Sequence, residues 1–209
     1  MGASGSGKTT LVKLLLGYFA PTSGNIFLGD TPLQDYDMTS WRHSCGVVLQ
    51  DSHVFSESLA RNIAVEDKHI DRTRLRTAAR QANLEEFIEK LPLKYQTMVG
   101  AEGVGLSRGQ EQRIFIARAL YKDPSFVFLD EATNSLDANN ERIITGNLLD
   151  FCKGRTVLIV AHRLSTIRHA DKIVVLHKGR IVEEGTHDEL CARHGYYYEL
   201  INNQLIAMG

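Results

Sequence analysis

The stretch Gly2-Ala3-Ser4-Gly5-Ser6-Gly7-Lys8-Thr9, followed at once by Thr10-Leu11-Val12-Lys13-Leu14-Leu15-Leu16, decides the fold. Its spacing satisfies G-x-x-x-x-G-K-[ST], the pattern of a phosphate-cradling P-loop. The glycines let the backbone turn sharply and bring successive N–H groups to bear on phosphate oxygens. Lys8 adds a point charge for terminal phosphates, and the Thr9 hydroxyl is placed for Mg²⁺. The run beyond Lys8 is helical, so the positive end of its dipole faces the loop. Gly17 is the expected helix stop. A flexible Gly/Ser tail would not run straight into an apolar helix.

A P-loop ordinarily joins a buried strand to its helix, and only Met1 precedes Gly2. The expectation is therefore that this strand belongs to sequence upstream of a longer chain. A strand of about five buried apolar residues, at roughly 1.5–3 kcal/mol each, contributes about 7–15 kcal/mol. That equals the whole net stability of a domain, about 5–15 kcal/mol.

The 209 residues suit one domain with a subdomain. Lys+Arg number 24 and Asp+Glu 25, a net charge of −1, which offers no basic field for nucleic acid or an anionic membrane. Cys45, Cys152 and Cys191 are scattered; they form neither a disulfide framework nor a zinc pattern, and fit a reducing compartment. No apolar run approaches the ~18 residues of a membrane helix.

After a turn-rich segment, residues 25–28 read as a short strand closed by Gly29-Asp30. Residues 39–44 suit a short helix leading into the strand 46–49, which ends at Gln50. Ligands of α/β folds bind at the carboxyl ends of parallel strands, so Gln50 is placed for a metal or an attacking water. By residue type alone a solvated loop glutamine is the more ordinary reading. Between 51 and 124 strand patterns give way to helical ones at 58–64, 71–82 and 84–91. The expected division is a core of 1–50 and 125–209 with a helical insertion at about 51–124. The insertion ends in Leu106-Ser107-Arg108-Gly109-Gln110-Glu111-Gln112-Arg113, where Ser107 is an N-cap for a helix to about Tyr121. Its polar front and apolar rear suit the presentation of a helix N-terminus to an anion, or simply a capped helix.

Phe126-Val127-Phe128-Leu129 reads as a strand covered on both faces, ending in Asp130-Glu131. Beside a P-loop, Asp130 can hold Mg²⁺ and Glu131 can orient and deprotonate a water. A helix is expected from about 138 to 152, then a strand over 156–161 with His162 at its end. His162 is structural or a γ-phosphate contact. A hairpin is expected around Lys178-Gly179, and the tail reads as two amphipathic helices broken at Gly195.

These stretches, in this order, resemble the nucleotide-binding domain of ATP-binding cassette (ABC) proteins, over almost the whole chain. Residues 2–9 correspond to Walker A, Gln50 to the Q-loop, and 106–110 to the signature motif. Residues 126–131 match Walker B with the catalytic glutamate, 134–137 the D-loop, and His162 the switch histidine. The resemblance implies an α/β P-loop NTPase, with a mostly parallel sheet core and an inserted α-helical subdomain, that binds and hydrolyses ATP with Mg²⁺. It implies Glu131 and His162 as catalytic residues, and Thr9, Gln50 and Asp130 around the metal. Nucleotide contacts would come from Gly2, Ala3, Ser4, Gly5, Ser6, Gly7, Lys8, Thr9, Thr10 and Gln50, and from Ser107, Arg108, Gly109, Gln110 and Asp137. The partner implied is a second nucleotide-binding domain in a head-to-tail homodimer, each ATP lying between one P-loop and the other copy's signature.

Ala161-His162-Arg163-Leu164-Ser165-Thr166 and Gly185-Thr186-His187-Asp188-Glu189-Leu190 are similar to exporters whose membrane domain precedes this one. That places the chain at the cytoplasmic face of the plasma (inner) membrane, with no nucleic-acid partner. Gly103-Val104-Gly105-Leu106-Ser107 and Leu136-Asp137-Ala138-Asn139-Asn140-Glu141 resemble, more narrowly, bacterial peptide or bacteriocin exporters carrying a peptidase domain. Arg108 departs from the family by standing where the usual signature has glycine. Gly100-Ala101-Glu102-Gly103 shifts the acidic residue by one position from the exporter loop before the signature. The family's adenine-stacking aromatic lies ahead of the P-loop, so no residue here is assigned to adenine. Soluble ABC ATPases of DNA repair or translation are the alternative, and they carry long coiled-coil insertions or tandem cassettes that this sequence lacks. A weakly hydrolysing regulatory or adaptor subunit is the other alternative, and ATP turnover of the complete protein separates it. On the expectation of an upstream strand, the isolated 209 residues are marginally stable; a cooperative, high-temperature calorimetric transition would count against that expectation.

Overall fold

The computed structural model describes residues 1–3, 5–65, 67–160 and 167–208, with side chains up to 203. Its contacts divide into two compact units, Met1–Met38 with Ile159–Gly209, and Thr39–Leu158.

In the first unit, α1 (Lys8–Leu15) follows the glycine-rich loop. It ends where Gly17 N–H donates to Leu14 O and Tyr18 N–H to Lys13 O, satisfying carbonyls that the helix leaves unpaired. The expected strand at 25–28 is only two residues long: β1 (Phe27–Leu28) pairs antiparallel with β2 (Thr31–Pro32). Pro32 has no N–H to extend the ladder. The hairpin around Lys178-Gly179 forms from β6 (Ile173–His177) and β7 (Arg180–Gly185). Two helices follow, α8 (His187–Ala192) and α9 (Tyr196–Met208), and α8 begins with a capping box between Thr186 and Glu189. Ile173, Val175, Leu190, Tyr197 and Ile201 make the buried core of this unit.

The second unit is built around β3 (Cys45–Val48) and β4 (Phe126–Asp130), which pair in parallel. β5 (Thr156–Val160) lies next to β4 in the same sheet. The continuous apolar run of β4 is buried at Val127, Phe128 and Leu129, as a strand covered on both faces should be. Trp41 of α2 (Met38–His43) meets Phe126 and Phe128 edge-on, with ring centroids 4.9 and 6.5 Å away.

Between β3 and β4 the chain is chiefly helical: α3 (Leu59–Ile63), α4 (Arg72–Gln81), α5 (Glu85–Glu89) and α6 (Arg108–Lys122). Local chemistry sets the starts, since Ser58 caps α3 and Asp71 caps α4 through side-chain oxygens. Strand-like pairing, which the sequence pattern does not anticipate there, survives as isolated bridges between Ser58 and Met98 and between Val99 and Val104. α6 is the spine. Ile114, Ile116 and Ala117 are fully buried, and their core includes Leu59, Ile63 and Leu75 from the smaller helices, Leu84 just before α5, and Ile144 of α7 (Ala138–Cys152). Arg118 Nε donates to Asn62 O at 2.8 Å, and its guanidinium lies over Phe55; burial pulls its pKa down to about 10. Among the described residues no helix is long and apolar enough to cross a membrane.

Because α6 anchors this unit, Ile116→Ala should cost about 2–5 kcal/mol, and Ile116→Val only about 0.5–1.5 kcal/mol. Denaturant unfolding of the two variants checks the ratio.

Candidate functional site

The loop of residues 2–9 belongs to the first unit. The main chain of Met1 runs beside β6: its nitrogen donates to Val174 O at 2.6 Å, and its carbonyl accepts from Leu176 N at 2.7 Å. The loop then turns back. A Cβ on Gly2 would fall 2.2 Å from Leu176 O, so a larger residue has no room there. Gly7, the N-cap of α1, has φ 98°, a left-handed conformation that suits glycine, and as a glycine it offers the helix no capping side chain. Ser6 O accepts from Gly179 N–H at 3.1 Å, so the hairpin tip supports the loop from beneath.

Lys8 is only 8% exposed. Its ammonium donates to Gly2 O at 2.9 Å, Ala3 O at 2.8 Å and Ser6 Oγ at 3.5 Å. These neutral partners hold the cation inside the turn, and phosphate oxygens would replace them with stronger charge-assisted bonds. Thr9 and Thr10 stand in the first turn of α1. Ser4 and His162 lie outside the described residues.

In the second unit Gln50, Asp130 and Glu131 lie at the carboxyl ends of β3 and β4. Val48 pairs with Leu129, so Gln50 and Glu131, each two residues further on, come level. Gln50 Nε2 indeed donates to Glu131 Oε2. Asn134 Nδ2 donates to the same carboxylate at 2.5 Å. Glu131 has φ 54°, a left-handed backbone unusual for a residue with a side chain. Asp130 ends β4 and is only 2% exposed.

Ser107 and Gln110 form a capping box at the front of α6: Gln110 N–H donates to Ser107 Oγ at 3.2 Å, and Ser107 N–H to Gln110 Oε1 at 2.8 Å. Arg108 is exposed in the first turn, and Gly109 is half-buried behind it. Asp137 caps α7 by accepting from Asn140 N–H at 3.0 Å, and the hydrogen bonds from Asn140 hold its carboxyl below the usual range.

Two residues at this site were not singled out in the sequence. Asn134 opens the D-loop match without a role of its own there, and its signal is an amide three residues after an acidic strand end. Gln112 Nε2 donates to Glu131 O at 3.0 Å, and its Oε1 accepts from Ser135 N–H at 2.8 Å; its sequence neighbours do not mark it out from Gln110.

The family model for ABC transporters matches residues 1–134. The chain belongs to the ABC transporter family. Its fold is that of the ABC ATPase domain, a P-loop NTPase with parallel strand pairing. The chain is 46% identical over 200 residues to an ATP-dependent lipid A-core flippase of Chromohalobacter salexigens, covering 96% of this chain and 34% of that protein. It is also 46% identical over 201 residues to the toxin RTX-I translocation ATP-binding protein of Actinobacillus pleuropneumoniae, covering 96% of this chain and 28% of that one. A bacterial Atm1-family ABC exporter solved with ATP bound superposes with a TM-score of 0.91 at 39% identity, over 97% of this chain and 36% of that chain. The ABC domain thus spans about a third of the length of the curated relatives it matches. Lipid and toxin exporters match at the same identity, so the narrower likeness to peptidase-bearing exporters is not singled out.

Ser107→Ala removes the cap of α6 and should destabilise the unit by about 1 kcal/mol, while Ser107→Gly costs only about a few tenths. Chemical denaturation, with amide exchange at 108–111, reads both.

Proposed function

We propose that this ABC domain binds and hydrolyses ATP, and that it powers export across a membrane to which it is joined through an upstream membrane portion. The observation that carries the proposal is the pair at the strand ends, where Glu131 is turned into a left-handed conformation and held by Gln50 and Asn134. A carboxylate held at the end of a parallel strand, in a chain that also carries a P-loop, is suited to activating water rather than to stabilising a fold.

In this reading Lys8 and the amides of the loop and first turn of α1, residues 2–10, bind the β- and γ-phosphates. Thr9, Gln50 and Asp130 supply only oxygen donors, a hydroxyl, an amide carbonyl and a carboxylate, and such a hard set fits Mg²⁺. When bound, the cation neutralises charge on the transferring phosphoryl group. Gln50 links the metal set to Glu131, which orients the attacking water and takes its proton. His162 is assigned to the γ-phosphate.

Ser107, Arg108, Gly109 and Gln110 would close over the nucleotide held by a second copy, with Asp137 near the same face. The triphosphate joins the two copies and hydrolysis releases them, a cycle that shifts the population of attached membrane helices. An apolar surface supports docking to such a partner. Phe55, Met98 and Val104 are 39–48% exposed on segments joined by Val99 N–H to Glu57 O and Val104 N–H to Met98 O. The site of action is then the cytoplasmic face of the inner membrane, with residues 51–124 as the helical insertion. The relatives named above are exporters, which favours transport over a soluble nucleic-acid ATPase.

Glu131→Gln in the complete transporter should lower ATP turnover by roughly 10²–10⁴-fold and leave ATP binding intact. Turnover within a few-fold of wild type would remove Glu131 from the chemistry.

A further inference from the structure

We infer that Gln112 is a positioning residue that locks the water-activating carboxylate to the signature helix. This rests on the role proposed for Glu131. α6 opens with residues 107–110 and is buried behind them at Ile114, Ile116 and Ala117. Gln112 lies between the two, on the side that faces the loop after β4. Its amide uses both ends: the NH₂ donates to Glu131 O at 3.0 Å, and the oxygen accepts from Ser135 N–H at 2.8 Å. Asn134 N–H donates to the same Glu131 carbonyl at 3.2 Å. The helix also approaches closely, since a Cβ on Gly109 would sit 3.3 Å from Ser135 O.

A left-handed residue with a side chain persists only where its surroundings over-determine it. At Glu131 the side chain is held by Gln50 and Asn134, and the main chain by Gln112 and Asn134. Of these three residues only Gln112 comes from α6. A displacement of the helix front is therefore passed to Glu131 directly by the Gln112 side chain. In a two-copy arrangement, contact of residues 107–110 with one nucleotide would be felt by the carboxylate that serves the other. Gln112 acts through Glu131, by way of its bond to the Glu131 carbonyl.

The test uses the complete transporter and two variants. Gln112→Met keeps the length and loses both hydrogen bonds. Gln112→Glu keeps an acceptor for Ser135 N–H and loses the donor to Glu131. Both should lower kcat about ten- to a hundredfold, the scale of misplacing a reacting group by about an ångström, with KM for ATP changed less than about twofold. The Hill coefficient for ATP should fall towards one. In a Glu131→Gln background neither variant should lower the residual rate further. Wild-type kcat in Gln112→Glu would overturn the inference, as would a loss of turnover in Gln112→Met that tracks its melting temperature and raises KM in step. If Glu131→Gln itself turns over normally, the role of Glu131 fails; if it is inactive while both Gln112 variants are normal, only the coupling fails.

Discussion

The parallel register of β3 on β4 is the constraint from which the second unit takes its meaning. Cys45 is level with Phe126 and Val48 with Leu129. In a parallel pair both chains run out of the sheet at the same edge, so whatever follows them shares that edge. A slip by one residue would turn each side chain to the opposite face. Gln50 would then no longer stand level with Glu131. Val48, Val127, Phe128 and Leu129 are all buried, so the paired strands lie inside the core on both faces of β4.

That edge is completed by α6, which does two jobs along one axis. Its rear half is packed into the core, and its front half is polar and capped by its own residues Ser107 and Gln110. A helix anchored in this way moves as a body, since interiors are close-packed and resist gradual deformation. The loop after β4 is tied to it through Gln112, and α7 is tied to it through Arg113, whose guanidinium donates to Asn83 O at 2.6 Å and Asn140 Oδ1 at 3.4 Å. Asn140 in turn is the residue whose N–H is capped by Asp137. The second half of the sheet edge is therefore connected to the signature by hydrogen bonds on both sides of the loop.

Much of this was legible in the sequence because it depends on local chemistry. The caps at Ser58, Asp71, Ser107 and Asp137 stand where short polar side chains precede helical patterns, and α7 spans the residues its periodicity predicts. The continuous apolar run of β4 is legible for the same reason. The left-handed backbone of Glu131 was not, because nothing in a Leu-Asp-Glu-Ala string forces a positive φ; the surrounding hydrogen bonds impose it. Gln112 escaped notice because two glutamines two residues apart look alike until the helix assigns one to its own cap and the other to the neighbouring loop. β2 was missed because Pro32 contradicts a strand pattern and is tolerated only in so short a ladder.

Arg108 sharpens the electrostatic argument for the front of α6. A cation in the first turn of a helix opposes the dipole, at a cost of about 0.3–1 kcal/mol. Glu111, also in the first turn, offsets part of that cost. Arg108 is exposed and Glu111 half-buried in that turn. A surface of this kind gains little from folding alone and most from an arriving anion, because the guanidinium, the first-turn amides and the dipole then act with one sign. A nucleotide that ends at its β-phosphate, held in another copy's P-loop, would present less charge to that front than one carrying a γ-phosphate. In the proposed two-copy arrangement, the facing helix would then add to the preference of the loop for the triphosphate.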